Sequence, residues 1–474
     1  MGFVLSILYF VTYYLTPDAV FGPLAQYRVQ LIFAVLATLA SIPALKRSPV
    51  AKTPQSVALI GLAISTFLSV LISMRWLSGA ITGFMGFIPN AFGYFLVIIH
   101  FNSIRKLKAL VVMMAFVCVL VIVRGGHDVV EMQSTQTPMA SGSTESPYAM
   151  AQQNEAGQWI FRLQGLGEIN DPNDFAQLIV CTIPLIFVFW QRKNIFASAA
   201  LTGPLVAALL TGLYLTHSRG GIVALAAVIV VGFRRRIGTI LSAVLGGVLV
   251  IAAIALNATG GRDISAQAGS DRTSLWGEGL EVLKTHPLFG VGLGALPDYT
   301  GGLTAHNTIV VCAAELGLVG LFFWSWFLLP TLRDIAVVAS PASGRKKKNE
   351  SVVNPYLQQI EAGTMAASSV PDSPAQAEDD GKDDGKGAEI KWLGLCVFLS
   401  LVGFLVAGWF LSRALIMTLF LLGGMAEVLY EMALQRGLVS ARLPFRRTAG
   451  YAALFSLAML LVMYLLLRVT NLLR

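Results

Sequence analysis

Residues 304–324 read TAHNTIVVCAAELGLVGLFFW. The polar pair His306-Asn307 opens a run that is apolar throughout except for Glu315 and is marked by two glycines, Gly317 and Gly320. A run of this length and composition is a helix that crosses a bilayer. Its mouth therefore holds a titratable imidazole where membrane meets water. Two readings of that histidine stand side by side. It is a proton acceptor for a substrate held at the interface, or it joins Asn307 in capping the helix. The glycines, three residues apart, are spaced for close packing against another helix.

Working outward, the rest of the chain has the same character. Hydrophobic residues make up 55% of the sequence and charged ones 13%, with a mean hydropathy of +0.70. That balance excludes an ordinary soluble domain. Cys118, Cys181, Cys312 and Cys396 all lie inside apolar runs. Their spacing is neither that of a disulfide framework nor that of a zinc site, so they read as small packing residues. The net charge of +8 does not point to nucleic acid, because the basic residues cluster in short loops between apolar runs. The first residues lack a basic stretch, so no cleavable signal is expected.

The basic clusters orient the chain. Lys46, Arg47 and Lys52 share one loop; Arg105, Lys106 and Lys108 a second; Arg192 and Lys193 a third; Arg234, Arg235 and Arg236 a fourth. The positive-inside rule puts all four in the cytoplasm. Spans fit at 2–16, 28–45, 57–73, 80–100, 108–124, 174–190, 195–216, 219–233, 237–256, 304–329, 391–411, 413–433 and 448–468. The expectation is an all-α, polytopic integral membrane protein of about 12–13 transmembrane helices with a structured extracytoplasmic loop. Its parts are N-terminal helices (1–124), an extracytoplasmic loop (125–173), helices (174–256), an extracytoplasmic catalytic loop (257–303), the His-Asn helix (304–330), a linker (331–390) and C-terminal helices (391–474). The linker joins Arg345-Lys346-Lys347-Lys348 to a Ser-, Pro- and Ala-rich run and an acidic stretch. It reads as a disordered cytoplasmic segment whose basic part meets anionic lipid heads. In the 257–303 loop, Trp276, Leu280, Val282, Leu283 and Leu288 recur at near-helical spacing, as in an amphipathic helix lying on the membrane surface.

Several polar groups gather on the outer side. Arg219 follows Ser218 and precedes Gly220-Gly221 at the start of a span. A helix N-terminus already attracts anions, and an added arginine strengthens that attraction. The alternative is an arginine snorkelling to lipid phosphates. Arg272 stands just before the surface segment, with Asp263 and Asp271 as alternative ion-pair partners. Asp171, Asn173 and Asp174 precede another span, with Arg162 upstream. They serve as helix caps, with Pro172 in the first turn, or they shape a sugar-binding mouth and orient Arg162. No tight Asp/Glu/His cluster suggests a metal. Gly290-Val291-Gly292-Leu293-Gly294 follows no buried strand, so it reads as a tight turn rather than a nucleotide loop.

Taken in order, these pieces resemble the O-antigen ligase / O-antigen polymerase superfamily from about residue 160 to 330. They are Asp171-Pro172-Asn173-Asp174-Phe175-Ala176, Ser218-Arg219-Gly220-Gly221, Arg272-Thr273-Ser274-Leu275-Trp276, the segment from His286 to Gly294, and His306-Asn307, x9, Gly317-x-x-Gly320 with Glu315. One element departs: the R-x3-L of ligases is R-x2-L at Arg272–Leu275. Ligase, polymerase and protein O-glycosyl transferase all fit; that departure and the long linker lean toward polymerisation of an exopolysaccharide or O-antigen.

The resemblance implies a glycosyltransferase of the bacterial inner membrane that needs no metal and no cofactor. It would move a glycan from undecaprenyl pyrophosphate to an acceptor glycan or lipid on the periplasmic face. A flippase and a chain-length regulator would be its partners. The residues expected to act are His306 as general base and Arg219, Arg272 and Arg162 on the pyrophosphate. Asn307, Glu315, Ser218, Asp171 and Asn173 would support them. Arginine suits pyrophosphate because its planar fork bonds two oxygens at once. A polytopic transporter or flippase of polysaccharide export is the other reading of so many spans.

Overall fold

The computed structural model describes residues 1–17, 23, 27–45, 52–135, 146–153, 157–191, 193–260, 266–340 and 374–472. Within 266–271, 374–384 and 470–472 it describes the backbone alone. The helices are α1 (Gly2–Leu15), α2 (Val29–Leu45), α3 (Pro54–Met74), α4 (Leu77–His100), α5 (Ile104–Thr135), α6 (Pro172–Ile186), α7 (Ile195–Leu215), α8 (Arg219–Ile237) and α9 (Thr239–Ala255). They continue with α10 (Ala266–Thr285), the single turn α11 (Leu296–Tyr299), α12 (Thr308–Ala339), α13 (Pro374–Gly408), α14 (Met417–Gln435) and α15 (Phe445–Leu472). Among the described residues, nine helices are long and apolar enough to cross a membrane, and α1, α2 and α9 are shorter apolar helices. The chain is an all-α polytopic membrane protein. Its outer helices carry apolar stripes that face outward, as Leu454, Leu457, Leu461 and Leu465 do on α15. In a lipid solvent such exposure needs no partner.

The interior is organised around α12 and α13. The former packs on α3, α10, α13, α14 and α15; the latter on α6, α8, α12 and α14. Small residues permit the approach. A side chain at Gly403 of α13 would meet Val180 at 2.9 Å and Val228 at 3.0 Å.

Five features differ from the sequence-based expectation. First, α5 continues to Thr135 instead of stopping near Arg124. Gly125 is a notch for Tyr148, whose Cβ lies 2.5 Å from where a side chain at residue 125 would begin; it does not end the helix. Second, the 125–173 loop holds a two-stranded antiparallel sheet, β1 (Ala149–Gln153) with β2 (Trp159–Leu163), pairing Met150 with Arg162. Third, helix occupies both ends of the 331–390 linker, because α12 runs to Ala339 and α13 begins at Pro374; the disorder expected between them lies outside the described residues. Fourth, α10 packs on α12 and α15. Trp276, Val282 and Leu283 are buried there and Leu280 packs against them, whereas Leu288 is exposed.

The most consequential difference is inside α12. Gly317 has φ 67° and ψ −167°, so the helix is broken there. The groups freed by the break find partners on the 286–294 loop. Leu318 N–H donates to the Pro287 carbonyl at 2.8 Å and Val319 N–H to that of Leu288 at 3.2 Å. The carbonyls of Ala314 and Glu315 accept from Val291 and Gly292 N–H at 3.0 and 3.1 Å. Gly317 is therefore a socket for a loop and not a helix-packing glycine. A Cβ at residue 317 would strike the Leu288 carbonyl and lie 2.6 Å from Gly290 N. Backbone strain adds to that clash, so Gly317→Ala is expected to cost about 2–4 kcal/mol, read as a lower unfolding temperature in detergent.

Candidate active site

A cavity of about 530 Å³ opens at one end of the bundle. Its walls come from α4 (Asn90), the start of α6 (Asp171, Asn173, Asp174), the 286–294 loop (Leu293, Gly294), the start of α12 (His306, Glu315) and the 409–416 turn between α13 and α14 (Ser412, Arg413). His306 is exposed and lines it. The residue sits in the left-handed region at φ 47°, which is uncommon outside glycine but tolerated by histidine. The 409–416 turn holds it there: His306 N–H donates to Ser412 Oγ at 3.0 Å, and Thr304 Oγ1 lies 2.6 Å from the same hydroxyl. Trp276 Nε1 donates to the Ala305 carbonyl at 2.8 Å, fixing the preceding residue from α10.

Asn307 is fully buried and caps α12. Its Oδ1 accepts from Ile309 and Val310 N–H at 3.0 and 3.2 Å, and its Nδ2 donates to the Trp409 carbonyl at 3.2 Å. It thus sets the register between the histidine and the 409–416 turn. Glu315 is buried two residues before the break, its carboxyl group near the backbone N–H groups of Gly294 and Leu296. Its backbone carbonyl also accepts from Ser69 Oγ at 2.6 Å.

A narrower cleft adjoins the cavity, lined by Ser218, Arg219, Arg272 and Phe410, with Asn173 and Leu411 shared by both spaces. Ser218 caps α8 by accepting from Gly221 N–H at 3.2 Å and donates its hydroxyl to Asn173 Oδ1 at 2.9 Å. Gly220 allows Phe410 close to the helix start, since a side chain there would meet Phe410 Cβ at 3.0 Å. Arg272 lies over the Phe410 ring, 5.8 Å from its centroid. Burial, and then the charge of Arg219, lower the Arg272 pKa. Among the described residues neither arginine has a carboxylate within ion-pair distance; the side chains of Asp263 and Asp271 lie outside them. Two cations sharing a half-buried cleft raise each other's energy until an anion joins them.

Arg162, expected as a third cation for the phosphates, lies deeper. It is 2% exposed, and its guanidinium donates to the Thr216 carbonyl at 2.9 Å, to Asn173 Oδ1 at 2.9 Å and to Gln152 Oε1 at 3.4 Å. Its place on β2 thereby ties the hairpin to α6 and to the turn before α8. Asp171 caps α6, accepting from Asn173 N–H at 2.7 Å.

Sequence reasoning passed over Arg413. It donates through Nε to Asp174 Oδ2 at 2.6 Å and lines the cavity that His306 lines. Burial alone would lower its pKa, but the Asp174 carboxylate outweighs that, so the net shift is upward and the group stays charged. The signal was present: Ser412-Arg413 is the only charged break between Lys391 and Glu427. Spans ending at 411 and resuming at 413 left no room for a turn. Arg413→Ala leaves Asp174, 2% exposed, without its cation. We expect a loss of about 2–4 kcal/mol, below the fully buried case because Arg413 is part exposed. Asp174→Asn in the same chain should recover part of it, measured by thermal unfolding.

Among the described residues no three His, Cys, Asp or Glu side chains gather as a metal site requires. In comparison with known families, the model described as O-Antigen ligase matches residues 204–325. The match takes in Ser218, Arg219, Arg272, His306, Asn307 and Glu315, and it supports the O-antigen ligase superfamily. No curated protein matches the chain.

Proposed function

We propose, on the premise that residues 204–325 form an O-antigen ligase domain, that the chain transfers a glycan from undecaprenyl pyrophosphate to an acceptor hydroxyl at the outer face of the inner membrane. The family match suggests membrane glycan ligase or polymerase activity and a lipid-linked glycan substrate. The observation that carries the finer reading is the shared wall of Asn173 and Leu411. It sets a histidine-lined cavity beside a cleft of two arginines.

In this reading the pyrophosphate lies in the Arg219–Arg272 cleft at the N-terminus of α8, and the sugar lies in the cavity. Neutral His306 accepts the proton of the acceptor hydroxyl. The hydroxyl oxygen bonds to the anomeric carbon from the side opposite the phosphate, and the carbon–oxygen bond to pyrophosphate breaks with its electron pair leaving on the phosphate oxygen. The arginines stabilise that charge as it develops, and the proton on His306 passes to solvent. The carboxylates and amides around the cavity, Glu168, Asp171, Asn173 and Asn90 among them, offer the hydrogen bonds that sugar hydroxyls take. A flippase or transporter would need its polar groups near the bilayer midplane; here His306, Arg413, Arg219 and Arg272 converge at one end of the bundle.

The test is the anomeric configuration of product made from a defined carrier-linked donor. Inversion is expected, and retention overturns the single displacement. Between ligation to a lipid, polymerisation and transfer to a protein we favour polymerisation: a deletion strain should keep only single-repeat glycan. Free polymer accumulating on its carrier would assign a ligase instead.

A further inference from the structure

The opposite end of the bundle carries a second cavity, of about 950 Å³. Its polar lining is strongly cationic: Lys108, Arg234, Arg235, Arg236 and Lys391 face it. Its one carboxylate, Glu389, is already taken by Lys108 at 2.5 Å. Arg234, Arg235 and Arg236 are exposed, and among the described residues none pairs with an acid. The remaining wall is apolar and aromatic, from Phe189, Trp190, Trp392 and Phe398. Trp392 is held in place by donating Nε1 to the Phe187 carbonyl at 2.7 Å. The volume lies in the range of sites for small ligands, and a cationic rim above an aromatic wall at the end of membrane helices matches an anionic head on an acyl chain.

We propose that this cavity is a binding site for an anionic phospholipid, the cations holding the phosphate and the aromatic wall receiving the upper acyl chain. The proposal rests on this cavity alone and not on the glycan transfer. Its placement gives it a structural role. The walls include α8, α12 and α13, and the far ends of those three helices carry Arg219, the Asn307 cap and the 409–416 turn. A headgroup bridging Arg235 and Lys391 would fix the near ends of the same helices that set the candidate active site.

The experiment uses the full chain reconstituted in phosphatidylcholine, alone or with 30 mol% phosphatidylglycerol, with thermal unfolding as the readout and inorganic phosphate in pure phosphatidylcholine as a third arm. Phosphatidylglycerol should raise the unfolding temperature and phosphate should not. In a Lys391→Gln/Arg235→Gln chain, the phosphatidylglycerol needed for half the effect should rise about thirtyfold, roughly fivefold per charge removed. A Lys284→Gln chain, altered at an exposed side chain of α10, should behave as wild type. Three results overturn the site: an equal response in the double variant, the same stabilisation by phosphate alone, or a double variant already destabilised in pure phosphatidylcholine. The last would mean that the chain's own acidic residues fill the cavity.

Discussion

A His306→Ala chain is expected to lose about 10²–10⁴-fold in turnover, the usual contribution of a positioned general base, while still binding carrier lipid. The reason lies in how the residue is held. Its backbone is fixed by Ser412 and its neighbour Asn307 by the α12 cap, so alanine removes the imidazole and its contacts, with some added strain at φ 47°, while the backbone around it stays pinned. A stopped assay on a carrier-linked donor measures the rate, and binding of the same donor to the variant separates chemistry from affinity. A general base acts only while unprotonated, so any acid limb in the pH profile of the rate should vanish in the variant. Unchanged turnover in His306→Ala would remove the base from the mechanism.

The second large effect belongs to the cleft. Arg219→Ala should lower transfer at least about a hundredfold, as expected when a donor to developing charge is lost, and in practice should leave no measurable product. Arg219→Lys should recover only part, because a point charge cannot bond two phosphate oxygens in one plane. Arg272→Ala should act in the same direction. Membrane levels equal to wild type with full Arg219→Ala activity would place the phosphate elsewhere.

How far these residues could be read from the chain depends on what kind of order each obeys. Spans are one-dimensional objects, set by runs of apolar residues, and the helix positions expected from hydropathy and basic loops recur in α1 to α9 and α12 to α15 within a few residues at most ends. His306, Arg219 and Arg272 were legible because each is a polar group at the mouth of such a run. Arg413 was not, because the turn that bears it is eight residues of mostly apolar sequence, WFLSRALI, and hydropathy cannot distinguish that from helix. The break at Gly317 escaped for a related reason. Gly-x-x-Gly fits helix packing and a loop socket alike, and only the backbone of residues 287–292, far away in sequence, decides between them. Arg162 shows the opposite case: an arginine near an outer loop suggests a ligand-binding cation, and its place on β2 sets the guanidinium on Thr216, Asn173 and Gln152.

The break in α12 also measures depth. At 1.5 Å per residue the unbroken piece from Leu318 to Ala339 is roughly 33 Å long, close to the hydrocarbon thickness of about 30 Å. The piece before it adds roughly 14 Å more. If the longer piece fills the acyl layer, Gly317 lies near the boundary with the headgroups and His306 stands well above it. A carrier lipid whose tail stays among the acyl chains then reaches up along the shorter piece to present its phosphates in the Arg219–Arg272 cleft, level with the Thr308 end of α12, so the helix acts as a ruler that matches the substrate's own polarity profile.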